Sequence, residues 1–224
     1  MNLVRRLTAE ALGTALLLAV VVGSGIMGER LAAGNTAVAL LANSLATGCG
    51  LYVLITTLGP ISGAHFNPAV TVSFAFAGEF AWREVLPYIL VQISAALVGV
   101  VIAHWMFELP AFAASTHVRT GPSQWWSEGV ATFGLLLIIW LGARTRPTLV
   151  PALVAAYITA DYWLTASTSF ANPAVTIARS TTNTFAGIHP DNIYGFFAAQ
   201  FVGSLAATVL ARWLSRPPAV SEKS

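Results

Sequence analysis

Apolar residues fill most of this chain in blocks of about 20, a length that crosses the hydrocarbon layer of a bilayer as a helix. The pattern predicts an all-α membrane protein with six transmembrane helices. The predicted spans are Leu7–Met27, Thr36–Leu58, Val85–Phe107, Trp125–Leu141, Leu149–Ala166 and Ile193–Leu214. The first span follows two arginines, as in a signal peptide, but it lacks a convincing cleavage site and equal blocks follow it. It is therefore predicted to be a retained span.

Two shorter elements lie between the second and third spans and between the fifth and sixth, and each begins with the same five residues. Asparagine is a favoured N-cap, and proline at the first helical position gives up an amide hydrogen that would have no partner. The two copies are Asn67, Pro68, Ala69, Val70, Thr71 and Asn172, Pro173, Ala174, Val175, Thr176. The apolar run after each copy is too short to span a bilayer, so both predict re-entrant half-helices with a site near the midplane.

The two halves of the chain repeat this order of elements. Glu10 is followed four residues later by threonine in the first span, as is Glu128 in the fourth, and Gln92–Trp105 matches Gln200–Trp213 at a constant offset. The chain is therefore predicted to be one domain, 1–224, made of a first repeat, 1–107, and a second, 125–214. With three spans in each half, this is an inverted 3+3 repeat, in which the half-helices enter from opposite faces and their N-termini meet.

Positive charge predicts the orientation. With both termini in the cytoplasm, eight cationic residues lie inside and three lie outside, which obeys the positive-inside rule. The inside set is Arg5, Arg6, Arg83, Arg144, Arg146, Arg212, Arg216 and Lys223, and the outside set is Arg30, Arg119 and Arg179.

Composition excludes several classes of protein. The chain is 56% hydrophobic and only 9% charged, whereas a water-facing surface is roughly a quarter to a third charged, so a soluble domain is excluded. A net charge of +2, spread along the chain, gives no support for nucleic-acid binding. Cys49 is the single cysteine, so no intrachain disulfide is possible, and it is assigned no thiol chemistry. No nucleophile–base pair, metal-ligand cluster or cofactor motif is found, so an enzyme is not expected.

Glu10 and Glu128 are ionisable residues inside predicted spans, where they are costly and point to function. In one interpretation, each carboxylate accepts hydrogen bonds from the irregular backbone that leads into a half-helix. In the other, the two belong to a proton relay. The supporting role is favoured, because an uncoupled pore needs no relay.

The motifs described above resemble those of a known family, and the resemblance covers nearly the whole chain. The string Ser62–Thr71, the second Asn-Pro-Ala copy and the two Glu-x-x-x-Thr openings resemble the aquaporin and aquaglyceroporin family of channels. The resemblance implies a six-helix bundle with two half-helices, assembled as a homotetramer with one pore in each subunit. It also implies that the two asparagines lie in the pore and that backbone carbonyls line one side. Those carbonyls belong to Gly63, Ala64, His65, Thr168, Ser169 and Phe170.

The chain departs from the family directly after the second Asn-Pro-Ala, where Val175 replaces the usual arginine of the selectivity filter. By the family's spacing, the other filter positions fall on Thr47, Ala160 and Ser169. Four small, uncharged side chains imply a wide aperture. The expected solutes are uncharged: water, glycerol-like polyols, urea, and neutral metalloid hydroxides such as arsenite and antimonite, with arsenicals the preferred physiological guess.

Two charged residues near this filter leave alternatives open. Arg179 lies one helical turn after Val175 and either reaches back into the filter or points to the outer rim or a subunit contact, which is favoured. Asp161 is either a vestibule carboxylate, attracting cations or pairing with Arg179, or a helix-end residue at the interface.

The leading hypothesis is a passive, multi-pass channel of the cell's inner (plasma) membrane, with small neutral solutes, water and the lipid bilayer as its partners. A water-selective aquaporin is one alternative. A proton- or sodium-coupled secondary transporter is another, because inverted repeats with broken helices are common in that class. A closed, junction-forming member of the family is the third. No cofactor, metal or nucleic acid is expected.

Overall fold

The structure, a computed structural model, describes residues 1–215, and within them the chain is all-helical. Eight α-helices follow one another, with 3₁₀ turns at Pro147–Leu149 and Pro190–Asn192. The helices are α1 (Leu3–Leu31), α2 (Thr36–Ser62), α3 (Pro68–Phe76), α4 (Trp82–Met106), α5 (Pro122–Thr145), α6 (Val150–Leu164), α7 (Pro173–Arg179) and α8 (Ile193–Leu214).

All six predicted spans are helices, and α3 and α7 are the two predicted half-helices. Five helices are long and apolar enough to cross a membrane: α1, α2, α4, α5, and α8 together with its preceding turn. The sixth, α6, has 15 residues, which is about 22 Å at the helical rise and short of a full span. The preceding 3₁₀ turn extends it at one end, and at the other the chain becomes extended at Thr165.

Local signals explain the helix limits. Asn35 caps α2 by accepting from the backbone N–H groups of Ala37 and Val38 at 3.1 and 3.3 Å. The same helix ends at Gly63, whose φ of 91° lies in the left-handed region that glycine adopts without penalty. Helix α5 begins with Pro122 in its first turn, where its missing N–H is not needed.

The two groups of four helices pack in the same way. Helix α1 packs on α4 and α2, and α5 packs on α8 and α6, while α2 and α6 join the two groups. Glycines allow the closest approaches, because a Cβ at Gly99 would collide with the Ala15 carbonyl and one at Gly203 with the Gly129 carbonyl. The half-helices α3 and α7 touch each other and both pack on α4 and α8. The division into repeats 1–107 and 125–214 stays a prediction, and it groups α1–α4 and α5–α8.

Two of the predicted cytoplasmic arginines form ion pairs at one end of the bundle. Arg6 pairs with Glu84 at 2.7 Å, and Arg144 pairs with Glu79 at 3.6 Å. These contacts join the start of α1 to the start of α4, and the α3–α4 connection to the end of α5. Arg216 and Lys223, which complete that predicted set, lie outside the described residues.

Candidate functional site: a cavity between two half-helices

The site is built around the N-termini of α3 and α7, which meet head to head. The side-chain oxygen of Asn67 accepts from the Ala69 N–H at 2.8 Å, and that of Asn172 accepts from the Ala174 N–H at 2.9 Å. Each amide nitrogen also donates across the junction, Asn67 to the Ala171 carbonyl and Asn172 to the Phe66 carbonyl, both at 2.7 Å. Each NH₂ group therefore keeps one hydrogen for another acceptor.

In the first half, Glu10 holds the segment that leads into α3. This fully buried carboxylate accepts from the backbone N–H groups of His65 at 2.9 Å and Phe66 at 2.8 Å, each on a different oxygen. It also accepts from the Ser62 hydroxyl at 2.7 Å and the Gln92 amide at 2.9 Å. This geometry matches the supporting role.

The second half repeats this network. Glu128, also fully buried, accepts from the backbone N–H groups of Phe170 and Ala171, both at 2.9 Å and again on different oxygens. Gln200 donates to the same carboxylate at 2.6 Å and to the Thr176 hydroxyl at 2.9 Å. In the first half, the equivalent Gln92 donates to Glu10 and to the Thr71 hydroxyl. The sequence repeat indicates these glutamines, although it gives no hint that they join the carboxylate to the half-helix.

The hydrogen bonds to Glu10 and Glu128 stabilise backbone segments whose φ angles are strained. Ala64 and Phe66 before α3, and Ser169 and Ala171 before α7, have φ values of 48°, 48°, 48° and 49°. Non-glycine residues in this left-handed region cost of the order of 1–3 kcal/mol each. Such backbone at membrane depth is tolerated only where it is buried in protein or lines a cavity, as it is here.

A cavity of about 110 Å³ runs past both half-helix N-termini. One side is apolar, and its α6 stripe is Val150, Val154 and Ile158. The other side carries both asparagines and the backbone segments that precede them. Among the described residues that line the cavity, none is a carboxylate.

Three of the four predicted filter residues reach this cavity, namely Thr47, Ser169 and Val175. The prediction for Ala160 is corrected, because this residue is exposed on the outer face of α6 and does not line the cavity. Tyr162 takes its place in the wall, where its hydroxyl lies 3.2 Å from that of Thr47. Two residues along a helix turn the side chain by about 200°, so the two positions face opposite ways.

Of the six residues predicted to present carbonyls, all but Thr168 line the cavity, and Phe66 and Ala171 line it as well. The ring of His65 packs among Phe74, Phe80 and Tyr88, with centroid distances of 5.0, 5.1 and 5.5 Å. Its Nδ1 lies 3.1 Å from the Thr71 hydroxyl, so its imidazole has a packing role.

Arg179 departs from its favoured expectation, and Asp161 fits neither of the two interpretations left open for it. Arg179 does not point to an outer rim. Only 2% of it is exposed, and it lines the cavity. Asp161 is fully buried and receives a hydrogen bond from the Ser169 hydroxyl at 2.5 Å, so it is neither at the interface nor in a vestibule. No ion pair joins the two among residues 1–215. Cys49 is exposed and does not line the cavity.

Arg119 supports the segments around the site, a role that the sequence does not predict for it. From the α4–α5 connection it donates through Nε to the Gly187 carbonyl at 2.8 Å. Its Nη atoms donate to the carbonyls of Ser167 and Phe185, both at 3.3 Å. Burial lowers the pKa of this guanidinium from its ordinary value. It fastens the two segments that flank α7 and does not line the cavity.

Comparison with known proteins agrees with this architecture. The sequence model of the major intrinsic protein family matches residues 1–156. The chain belongs to the major intrinsic protein family. Members of this family are membrane channels, so the protein is a channel and not an enzyme. The matched residues include the first Asn-Pro-Ala copy and end before the second.

Individual relatives extend the match over nearly the whole chain. Aquaglyceroporin AqpS of Rhizobium meliloti is 55% identical over 216 residues, which is 96% of this chain and 92% of the relative. Aquaporin Z of Bradyrhizobium diazoefficiens is 29% identical over 96% of this chain and 95% of the relative. The X-ray structure of the aquaglyceroporin from Plasmodium falciparum superposes with a TM-score of 0.72 at 18% identity, covering 93% of this chain and 95% of that one, so it shares the fold.

Proposed function

We propose that the protein is a passive transmembrane channel for water and small uncharged solutes, glycerol-like polyols among them. The observation that carries this proposal is the cavity that passes both half-helix N-termini, whose described lining contains no carboxylate. A proton-coupled transporter needs an ionisable group that carries the proton within its transport pathway. Glu10 and Glu128 are instead engaged with backbone N–H groups behind the wall. The buried carboxylate of Asp161 accepts a hydrogen bond from the Ser169 hydroxyl and does not line the cavity.

Conduction follows from the arrangement of donors and acceptors. Each half-helix directs the positive end of its dipole, up to roughly half an elementary charge, at the junction where Asn67 and Asn172 meet. The free hydrogen on each amide donates to a passing oxygen atom, which orients a water molecule at the midpoint and interrupts a proton wire. The apolar stripe on α6 offers no competing partner, so the solute moves along the polar side.

The proposed constriction consists of Thr47, Tyr162, Ser169 and Val175. Valine in place of the usual arginine leaves this constriction wide. Tyr162 makes it narrower than the predicted set of four small side chains would be. On this basis we propose permeation by polyols, urea and neutral metalloid hydroxides such as arsenite and antimonite. Relatives named aquaglyceroporin and glycerol uptake facilitator, the latter 38% identical over 110 residues in Bacillus subtilis, support the polyol part of the proposal.

We also propose a homotetramer in the cell's inner membrane with both termini in the cytoplasm. The arginines at the starts of α1 and α4 and at the end of α5 support this orientation, because positive charge favours the cytoplasmic side.

The test is a flux panel in proteoliposomes with water, glycerol, urea and arsenite, comparing wild type with Val175→Arg and, as a control for size without charge, Val175→Leu. Wild type is expected to pass glycerol down its gradient, and Val175→Arg is expected to reduce glycerol flux much more than water flux. Equal loss for every solute, or no loss, contradicts the place of Val175 at the constriction. Uphill accumulation driven by a proton or sodium gradient contradicts the channel, and flux of water alone indicates the water-selective alternative.

A further inference from the structure

Arg179 occupies the pore-facing position at the last turn of the second half-helix. It follows Val175 by four residues, and both line the cavity. In the first half-helix Val70 and Phe74 have the same spacing, and both also line it. Residues four apart share one helix face. The third and seventh residues after each asparagine therefore form the pore face of each half-helix, with phenylalanine at the seventh position in the first and arginine in the second.

Two contacts hold the guanidinium in place. Its carbon atom lies 3.4 Å from the centroid of the Phe170 ring, and its Nε donates to the Ala186 carbonyl. Phe170 is fixed in turn, because its backbone N–H donates to Glu128 at 2.9 Å. The side chain is thus positioned by the same network that shapes the segment before α7.

In the described part of the chain, no ion pair neutralises the charge on Arg179. Within residues 1–215 none of the ion pairs includes it, and its buried Nη1 has no hydrogen-bond partner. A buried cation without a counter-ion is costly inside a membrane protein and points to function. Packing alone does not account for it, because Phe74 fills the equivalent place in the first half-helix without a charge.

We propose that Arg179 is the specificity-determining cation of the outer constriction, reaching the pore from one helical turn beyond the position where Val175 stands. This inference rests on the proposed channel function and deepens it. The guanidinium repels cations and attracts solutes with acceptor oxygens, while valine leaves the aperture open beside it. Two unit charges about 5 Å apart at an effective dielectric constant of about 20 repel strongly enough to slow passage by roughly 300-fold.

The experiment compares wild type, Arg179→Gln and Arg179→Lys in proteoliposomes. The control is Arg146→Gln, which removes a positive charge from an exposed site. Potassium leak is measured with an ion-selective electrode, proton leak with an entrapped pH-sensitive dye, and water and glycerol flux by light scattering. We expect Arg179→Gln to raise cation leak at least tenfold while water still passes, and Arg179→Lys and Arg146→Gln to stay near the wild-type level.

A second variant keeps the test open if Arg179→Gln does not fold. Val175→Glu places a carboxylate one turn before the guanidinium on the same face, where the two pair. We expect its cation leak to rise as the carboxyl ionises with increasing pH. Wild-type cation leak in folded Arg179→Gln, or in Val175→Glu at high pH, overturns the inference. Wild type that passes no solute contradicts the proposed function instead, so the two failures are distinguishable.

Discussion

Replacing Glu10 by glutamine tests whether the buried carboxylates support the fold or carry protons. The backbone N–H groups of His65 and Phe66 donate to different oxygens of this carboxylate. A glutamine has one acceptor oxygen and one NH₂ group, so whichever way it faces, one backbone donor loses its partner. Side-chain partners such as the Ser62 hydroxyl can rotate, but a backbone N–H cannot.

Leaving one buried donor unsatisfied costs about 1–3 kcal/mol. For a chain of this size each kcal/mol lowers the melting temperature by about 2–4 °C, so Glu10→Gln is expected to melt about 2–12 °C below wild type. Glu128→Gln is expected to lose a similar amount, because Phe170 and Ala171 are divided between its oxygens in the same way.

The assay is thermal unfolding of the detergent-solubilised protein, followed by the proton and glycerol flux of the surviving channels. Glu79→Gln is the matched control, since its ion pair with Arg144 is 3.6 Å long and exposed, and such pairs contribute about 0–1 kcal/mol. An unchanged melting temperature in Glu10→Gln refutes the supporting role. A lost dependence of flux on a proton gradient, with stability retained, indicates a relay.

Three further substitutions probe the wall, the packing and the cap. Tyr162→Ala is expected to raise glycerol flux relative to water flux by widening the constriction, whereas Ala160→Leu on the outer face should leave the ratio unchanged; the reverse result would return the filter position to 160. Gly99→Ala is expected to melt at a lower temperature than Gly129→Ala, because its new methyl group meets a carbonyl and the control methyl group makes only ordinary contact. Asn172→Ala removes a cap and a cross-junction bond, so a loss of about 2 kcal/mol is expected in the melting assay, and an unchanged melting temperature would contradict both contacts.

The starts of the half-helices could be predicted from the sequence because their signals are local. An asparagine followed by proline specifies a helix N-terminus wherever it occurs, and Asn67 and Asn172 cap α3 and α7 as expected. The hydrogen bonds from irregular backbone to the buried glutamates could also be anticipated, because a carboxylate in an apolar span needs donors and the irregular segments have N–H groups to offer.

Counting back from Asn172 could not predict which face of α6 lines the cavity. Helix α2 ends at Ser62, five residues before its asparagine, whereas α6 ends at Leu164, eight residues before Asn172. An irregular segment has no fixed rotation per residue, so spacing through it does not determine which side of the helix faces the pore. The helix's own period does carry that information: Val150, Val154, Ile158 and Tyr162 recur every four residues and form the lining stripe.

The internal repeat separates the groups that the two halves share from those in which they differ. Both halves keep the same supporting groups: a glutamate, a glutamine and a threonine behind the wall, and a capping asparagine in it. They differ at the seventh residue after each asparagine, where Phe74 stacks on Trp140 at 4.4 Å and Arg179 stacks on Phe170. The supporting groups cannot vary without leaving buried donors unsatisfied, whereas the pore-face residues can. The two mouths of the pore therefore acquire different chemistry on one duplicated scaffold, apolar at the first half-helix and cationic at the second.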